Sequence, residues 1–169
     1  ARQVEAGIRF AQAFPDHPDS GGVITRAAQD VFDGKDLARS IEVAKLVLDA
    51  GVDVARRSLQ ETSKRPASDA VILLDTIGEL SACWGLADIA LVGGSFGNRG
   101  GQNMIEPAAY GAAVLFGPNT WNFRDVVQTF KDARACIQLN SSEELTSSVA
   151  RLLDDPEERQ SLGNAALHA

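Results

Sequence analysis

The chain of 169 residues is long enough for one domain with a sizeable core, and 44% apolar with 23% charged residues is typical of a globular protein. Sixteen basic against 23 acidic residues give a net charge of −7, which argues against a broad nucleic-acid surface and leaves room for one small anion in a local site. No apolar run approaches the roughly 18 residues of a membrane span, and no signal peptide is visible.

The two cysteines and the first residues suggest the setting of the chain. Cys83 and Cys136 lie in apolar or helical patterns, which favours buried thiols over a disulfide and fits a reducing, intracellular environment. The sequence starts at Ala1, without methionine and directly in a helical pattern. We therefore interpret it as a fragment of a longer protein.

The first 70 residues predict two helices with short strands between them. Apolar residues at helical spacing predict a helix over 1–14, and a loop follows in which His17 is expected to be solvated. Val23 and Ile24 fit a short strand. A second helix is predicted over 36–50, ended by Gly51. Its predicted inward face is Leu37, Ile41, Ala44 and Leu48.

A strand over 52–55 follows, and a cluster of basic residues flanks the polar loop after it. The cluster consists of Arg56, Arg57, Lys64 and Arg65. Such a cluster favours a solvated face, and a basic patch facing an anionic lipid surface is the alternative.

Residues 71–74 have the apolar character of a buried strand, with Asp75 and Thr76 at its carboxyl end. Ligands of parallel sheets bind at that end. Gly78 is predicted to begin a helix to residue 86 with Glu79 in its first turn, where the carboxylate could simply complement the helix dipole. Trp84, at helical spacing from residue 80, is predicted to be core.

Residues 87–118 predict a βαβ unit around a glycine-rich loop. An apolar run over 89–92 is a strand, and five glycines follow within nine residues, namely Gly93, Gly94, Gly97, Gly100 and Gly101. Asn103 is the predicted N-cap of a helix over 104–110, which Gly111 ends, and 114–116 is the next buried strand. The loop then lies at the carboxyl end of a parallel strand, which makes it the expected binding site.

The chemistry of this loop suits a nucleotide. Glycines allow backbone N–H groups to surround an anion, and the helix start behind them favours negative charge. Ser95 offers a hydroxyl, Arg99 is the formal cation of the loop, and Glu106 could accept hydrogen bonds from sugar hydroxyls. The alternative is a glycine-rich connection in which Glu106 only completes a capping arrangement with Asn103.

After Pro118 the pattern of helices and strands continues to the end of the chain. A helix over 123–130 with Asn122 as N-cap, a strand over 135–139 and a last helix from Asp155 and Pro156 are predicted. Between them, Ser141 and Glu144 form a capping box for a helix to residue 153. This alternation predicts an α/β fold, a doubly wound parallel sheet with helices on both faces.

Three separated motifs resemble the carboxyl-terminal half of the 3-deoxy-D-manno-octulosonate (Kdo) transferases. Residues 93–108 match GGS-x-x-x-RGG-x-N-x-x-EPA, residues 117–123 match GP-x-T-x-NF, and residues 75–80 match DT-x-GEL. The similarity covers about residues 52–156, with the motifs in the family's order. It implies the Rossmann-like, donor-binding half of a two-domain GT-B glycosyltransferase, spanning residues 1–169 and lacking the amino-terminal acceptor domain.

The resemblance implies a donor site for CMP-Kdo, used to transfer Kdo to a lipid A precursor in lipopolysaccharide biosynthesis. Its implied residues are Gly93, Gly94, Ser95, Arg99, Gly100, Gly101, Gln102, Asn103, Glu106, Asp75, Thr76, Gly78, Glu79, Asn122 and Arg26. Gln102 stands where the family usually has histidine, which removes a titratable group. Arg26, from the best match to the family's Pro-Arg-His motif, could equally be a surface arginine.

The resemblance also implies what lies outside the chain. The general base, a glutamate, and the membrane anchor belong to the amino-terminal domain, so no catalytic residue is expected here and the chain alone should be inactive. We expect no metal or other cofactor, no nucleic acid, and a full-length protein on the cytoplasmic side of the bacterial inner membrane. The alternatives are a UDP-sugar GT-B transferase and a non-catalytic nucleotide-binding module. An oxidoreductase is disfavoured because the glycine loop comes late in the chain and carries Gly-Gly-Ser.

Overall fold

Short parallel strands alternate with helices in the computed structural model, which describes residues 37–59 and 70–169. These residues divide into two compact units, within residues 1–80 and 81–169, and each is described by itself. The prediction of one domain over 1–169 stays a prediction. Several expectations lie outside the described residues or side chains: the helix over 1–14, His17, the strand at Val23 and Ile24, Arg26, the orientation of Leu37, Lys64 and Arg65.

The first unit packs one helix on a pair of parallel strands. Helix α1, Leu37–Asp49, ends at Gly51, whose φ is +77°. Strand β1, Val54–Arg56, runs into the 3-10 turn Arg57–Leu59 and pairs with strand β2, Val71–Leu73. The parallel register, Val54 opposite Val71, brings the carboxyl ends of both strands to one edge.

The buried face of α1 differs from the predicted one. Val43, Ala44 and Val47 form the core with Leu73 of β2, whereas Ile41 and Leu48 are 51% and 53% exposed. Apolar side chains surround most of this helix, so its sequence admits two neighbouring stripes, and packing on the strands selects one. Because Ile72 is exposed, the prediction of a fully buried strand is also wrong for β2.

The next helix along the chain is shorter than predicted. Helix α2 is Leu80–Trp84, and Gly78, the predicted start, has a φ of +87°. That left-handed conformation is incompatible with an α-helix and is accessible to glycine at little cost. Glu79 therefore precedes the helix. The burial of Trp84 confirms its prediction as a core residue.

The second unit contains three parallel strands in the order β3-β4-β5. They are β3, Ile89–Val92; β4, Ala113–Phe116; and β5, Cys136–Gln138. All four residues of the central β4 are buried, as expected for a parallel strand covered on both faces. Val92 lies opposite Phe116, and Phe116 opposite Gln138, so the segments after the three strands meet at one edge.

Four helices accompany this sheet. They are α3, Ile105–Ala108; α4, Arg124–Asp132; α5, Glu144–Asp154; and α6, Pro156–His168. Buried residues of α3, α4 and α6 join β3 and β4 in one apolar cluster, which includes Ala108, Val127, Phe130 and Ala166. The α/β class with parallel strands, predicted from the alternation of patterns, is confirmed.

Two predicted helix caps are replaced by other contacts. A 3-10 turn, Trp121–Phe123, leads into α4, and Asn122 bonds elsewhere instead of capping. The Ser141–Glu144 capping box is also wrong, because the Glu144 carboxylate accepts from the backbone N and Nδ2 of Asn140. At α6 the prediction is confirmed, since the Asp155 side chain accepts from the Glu158 N–H at 2.9 Å and Pro156 opens the helix.

Candidate functional site

The glycine loop, residues 93–103, closes on itself directly after β3. The N–H of Gly101 donates to the Gly94 carbonyl at 3.1 Å, and that of Gln102 to the Gly93 carbonyl at 3.1 Å. Gly94, Gly100 and Gly101 have φ values of +71°, +78° and +86°, the left-handed region that disfavours other residues. The glycine-rich composition therefore produces a closed loop at the carboxyl end of a strand.

The turn segment, residues 117–123, holds this loop from the neighbouring strand. Asn119 donates its backbone N–H to the Ser95 carbonyl at 2.9 Å and its Nδ2 to the Gly97 carbonyl at 3.1 Å. Asn122 donates its N–H to the Gly100 carbonyl and its Nδ2 to that of Arg99, at 3.1 and 2.6 Å. Asn122 thus lies at the predicted site as an anchor of the loop. Asn119 was missed, because it stands at an unspecified position of the GP-x-T-x-NF motif.

Ser95 is fully buried and its hydroxyl is engaged within the protein. The Oγ donates to the Val92 carbonyl at 2.8 Å and accepts from the Gly117 N–H at 2.8 Å. A hydroxyl has one proton to donate, so it has none left for a ligand. The side chain joins the ends of β3 and β4, and a donor-binding role of Ser95 stays a prediction.

Asn103 and Glu106 interact at the end of the loop. The N–H of Ile105 donates to Asn103 Oδ1 at 3.1 Å, and Asn103 Nδ2 donates to Glu106 Oε1 at 2.9 Å. Asn103 and Glu106 therefore interact, but the prediction of Asn103 as N-cap is wrong, because Met104 is the N-cap, without a side-chain hydrogen bond, and α3 has four residues instead of seven. Such a short helix carries little dipole, which removes most of the field expected there.

The contact with Asn103 leaves one oxygen of the Glu106 carboxylate for other partners. Glu106 is half-buried, and among the described residues no donor is in hydrogen-bond distance of its Oε2. A carboxylate fixed through one oxygen and presented by the other is suited to accept from a hydroxyl. The contact with Asn103 is therefore compatible with ligand binding by Glu106.

The loop also brings Gly94, Arg99 and Gln102 of the predicted site together. A Cβ built on Gly94 would lie 3.3 Å from Gln102 Cγ and 3.5 Å from Arg99 Cβ. Arg99 is exposed and Gln102 half-buried. Gly93, Gly94, Arg99, Gly100, Gly101, Gln102, Asn103, Glu106 and Asn122 thus belong to one connected region of the second unit.

In the first unit, Asp75 links the ends of the two strands. Its carboxylate accepts from Arg56 Nε at 2.9 Å, Arg56 Nη2 at 2.7 Å, and the N–H and Oγ of Ser58 at 2.7 and 2.6 Å. Burial alone would raise the pKa of this carboxyl, but the hydrogen bonds from Ser58 and Arg56 outweigh it and lower the pKa. These contacts occupy both carboxylate oxygens, which indicates a structural role.

Glu79 is held in a similar way at the end of β2. Arg57 Nη2 donates to its Oε1 at 2.8 Å, and the Thr76 hydroxyl donates to Oε2. The bond from Thr76 lowers the pKa of Glu79 despite some desolvation, and Arg57 adds to the effect. Arg56 and Arg57 are therefore paired, which corrects the prediction of a solvated basic face. A run of basic residues does not by itself reveal that Arg56 and Arg57 pair with carboxylates that follow another strand.

Features of other site classes are absent from the part of the chain that the structure describes. There, no group of three histidine, cysteine, aspartate or glutamate side chains could hold a metal ion, and no helix is long and apolar enough to cross a membrane.

Cys83 and Cys136 form no disulfide, as predicted. Burial raises the pKa of Cys136 to about 11, although the Lys131 cation acts in the opposite direction, so the thiol stays protonated at neutral pH.

Comparison with known proteins gives a consistent result. The chain is 38% identical over 125 residues to 3-deoxy-D-manno-octulosonic acid transferase of Bordetella pertussis and 36% identical over 124 residues to that of Haemophilus influenzae. These alignments cover 74% and 73% of the chain and 29% of each relative. The chain thus spans less than a third of the length of these relatives. No protein-family model matches.

A solved structure has the same fold. The carboxyl-terminal CMP-Kdo binding domain of WaaA from Acinetobacter baumannii superposes with a TM-score of 0.70 at 21% sequence identity. The superposition covers 96% of this chain and 95% of that domain. It supports the α/β architecture of the residues that the structure describes.

Proposed function

The chain belongs to the Kdo transferase family, and we propose that it is the donor-binding domain of such an enzyme, with CMP-Kdo as its ligand. The observation that carries the proposal is the closed glycine loop with Glu106 at its end, built from the family's motif and held by the turn segment. The fold likeness to a CMP-Kdo binding domain supports the same ligand.

We place the donor phosphate at the glycine loop. The N–H groups around Gly93, Gly94 and Ser95 would donate to phosphate or Kdo carboxylate oxygens, and Arg99 would add a positive charge. Because α3 has four residues, binding would depend on these donors more than on a helix dipole. Gln102 lies against Gly94 and would keep a hydrogen-bonding group where the family usually has histidine.

Glu106 would hold the ribose. Asn103 fixes one carboxylate oxygen, and the other would accept from the two ribose hydroxyls. Such a contact recognises a nucleoside and does not select the base. It is therefore compatible with cytidine or uridine, and affinity for the two bases must be measured.

The chemical step we propose is transfer of Kdo from CMP to a hydroxyl of a lipid A precursor. Here the loop N–H groups and Arg99 would stabilise negative charge on the leaving phosphate without a metal ion. The general base would come from the remainder of the protein, which would also provide the attachment to the cytoplasmic side of the inner membrane. The chain by itself would bind donor and catalyse nothing.

The residues of the predicted site that lie in the first unit are candidates from the DT-x-GEL motif. Asp75, Thr76, Gly78 and Glu79 follow β2, and their hydrogen bonds shape the segment in which Gly78 makes its left-handed turn. Their place in the donor site is proposed on the match to the DT-x-GEL motif alone, since the carboxylates of Asp75 and Glu79 are already engaged within the first unit. Arg26 remains a candidate phosphate ligand on the motif match alone.

A calorimetric titration with CMP tests the proposed site. Glu106→Ala should weaken CMP binding roughly 10- to 100-fold, since hydrogen bonds to a charged acceptor contribute about 1.5–3 kcal/mol. Glu42→Ala is the matched control, because Glu42 is an exposed glutamate on α1, and it should bind like wild type. Equal affinity of the two variants would exclude Glu106 from the site.

A further inference from the structure

Trp121 lies against the glycine loop although it has no place in the proposed chemistry. A Cβ built on Gly100 would be 2.3 Å from Trp121 Nε1 and 2.6 Å from its Cε2, so the indole edge touches the Gly100 backbone. The side chain is nevertheless 43% exposed. An indole that packs on backbone at the surface contributes little to the core, which suggests that its contact with the loop is its main role.

The next residue fixes the same stretch of backbone. Asn122 donates to the carbonyls of Arg99 and Gly100, at 2.6 and 3.1 Å. Gly100 has a φ of +78°, which only glycine adopts readily, and the space that a side chain would need is filled by the indole. Both carbonyls and the Cα of Gly100 are therefore held by two consecutive residues of the turn segment.

We propose that Trp121 and Asn122 clamp the Arg99–Gly100 backbone and thereby position the Arg99 side chain for the donor phosphate. This inference rests on the proposed function, because it takes the phosphate to be the partner of Arg99. It assigns Trp121 and Asn122 as positioning residues that act through Arg99. The backbone that these two residues hold sets the direction in which the Arg99 side chain leaves the loop.

Comparing CMP with cytidine isolates the phosphate contact. If the clamp positions Arg99, Trp121→Ala should reduce the preference for CMP over cytidine roughly tenfold, as Arg99→Ala does, and leave cytidine affinity unchanged. Trp121→Phe keeps a ring on Gly100 and should retain most of the preference. In the Arg99→Ala background, Trp121→Ala should have no further effect. Equal losses for both ligands, or an unchanged preference, would overturn the proposal.

Amide hydrogen exchange tests the clamp without any ligand. Trp121→Ala and Asn122→Ala should each accelerate exchange over residues 97–103 at least several-fold, while exchange over α5 and α6 stays as in wild type. Unchanged exchange over 97–103 would contradict the clamp even if CMP binds. Accelerated exchange in both variants, together with a wild-type chain that binds no CMP, would instead contradict the proposed function and, with it, the role of Arg99.

Discussion

The Ser95 hydroxyl connects two strands through a pair of buried hydrogen bonds. Ser95→Ala leaves the Gly117 N–H and the Val92 carbonyl without this partner, which should lower the free energy of unfolding by about 1–3 kcal/mol. Ser147, whose hydroxyl bonds to a carbonyl on the exposed face of α5, provides the control. Urea denaturation should show Ser147→Ala within about 0.5 kcal/mol of wild type. Similar losses at both positions would contradict the role of Ser95.

Asp75 should make stability depend on pH. Its pKa is lower in the folded chain than its ordinary value of 3.8, so the unfolded chain binds the proton more tightly. Stability from this group is therefore complete above pH 3.8 and is lost as pH falls through the lower folded pKa. Glu79, lowered from 4.5, acts in the same direction.

Asp75→Asn measures this contribution. The variant should be less stable than wild type at pH 7, because Arg56 loses its charged partner, and the difference should shrink as pH falls below 3.8. Denaturation by urea at several pH values gives the comparison. A difference that stays constant down to acid pH would contradict the ionic origin of the effect.

At single residues, the sequence was informative where a side chain acts locally. Asn103 with Glu106 and Asp155 with Glu158 follow from spacing of three along the chain. Gly117 is 22 positions from Ser95, and the partners of Asp75 are 17 and 19 positions away, so those contacts depend on strand register. Register is a property of the folded sheet, so the hydrogen bond from Gly117 to the Ser95 hydroxyl could not be predicted beforehand.

Among the elements, α6 packs so closely on the turn before β4 that one position has no space for a side chain. A Cβ on Gly163 would lie 2.0 Å from the Gly111 carbonyl oxygen. Glycine to alanine inside a helix normally stabilises by about 1 kcal/mol, but here the clash reverses the sign. Gly163→Ala should destabilise by about 1–3 kcal/mol.

The adjacent exposed residue controls for helix propensity. Asn164→Ala should leave stability unchanged or slightly raise it, because its side chain is exposed and alanine is the better helix former. Thermal or urea denaturation measures the stability of both variants. Equal stability of Gly163→Ala and Asn164→Ala would show that α6 can move away from the turn without cost.

The hydrophobic pattern predicted which segments are helices and which are strands, but it did not predict where each of them begins and ends. β3, β4 and β5 lie within one or two residues of the predicted strands, because short apolar runs between helices favour buried parallel strands. The helix predicted after Gly78 is shorter because the left-handed backbone at Gly78 overrides propensity. On α1, packing against the strands determined which face is buried, so Ile41 and Leu48 are exposed.

For the molecule as a whole, the order of three motifs identified the family, and the comparisons confirmed it. Length and charge alone allowed many α/β proteins, because they do not specify a site. The loop geometry then gives the family motif a physical meaning, because its glycines allow the left-handed backbone and its Asn122 holds that backbone in place.

Metal independence is a property that can be tested on the whole chain. We expect CMP affinity to be unchanged, within about twofold, when EDTA replaces Mg²⁺, because the proposed phosphate donors are N–H groups and Arg99. Calorimetric titration in matched buffers provides the measurement. A loss of CMP binding in EDTA that Mg²⁺ restores would contradict the proposed mode of phosphate binding.

The most direct measurement is the ligand preference of the wild-type chain among CMP, UDP and NAD. We predict measurable binding of CMP, at least about tenfold tighter than UDP, and none of NAD under the same conditions. That order would support a CMP-Kdo donor domain. Tighter binding of UDP would move the chain to a different sugar donor, and a preference for NAD would contradict a glycosyltransferase site altogether.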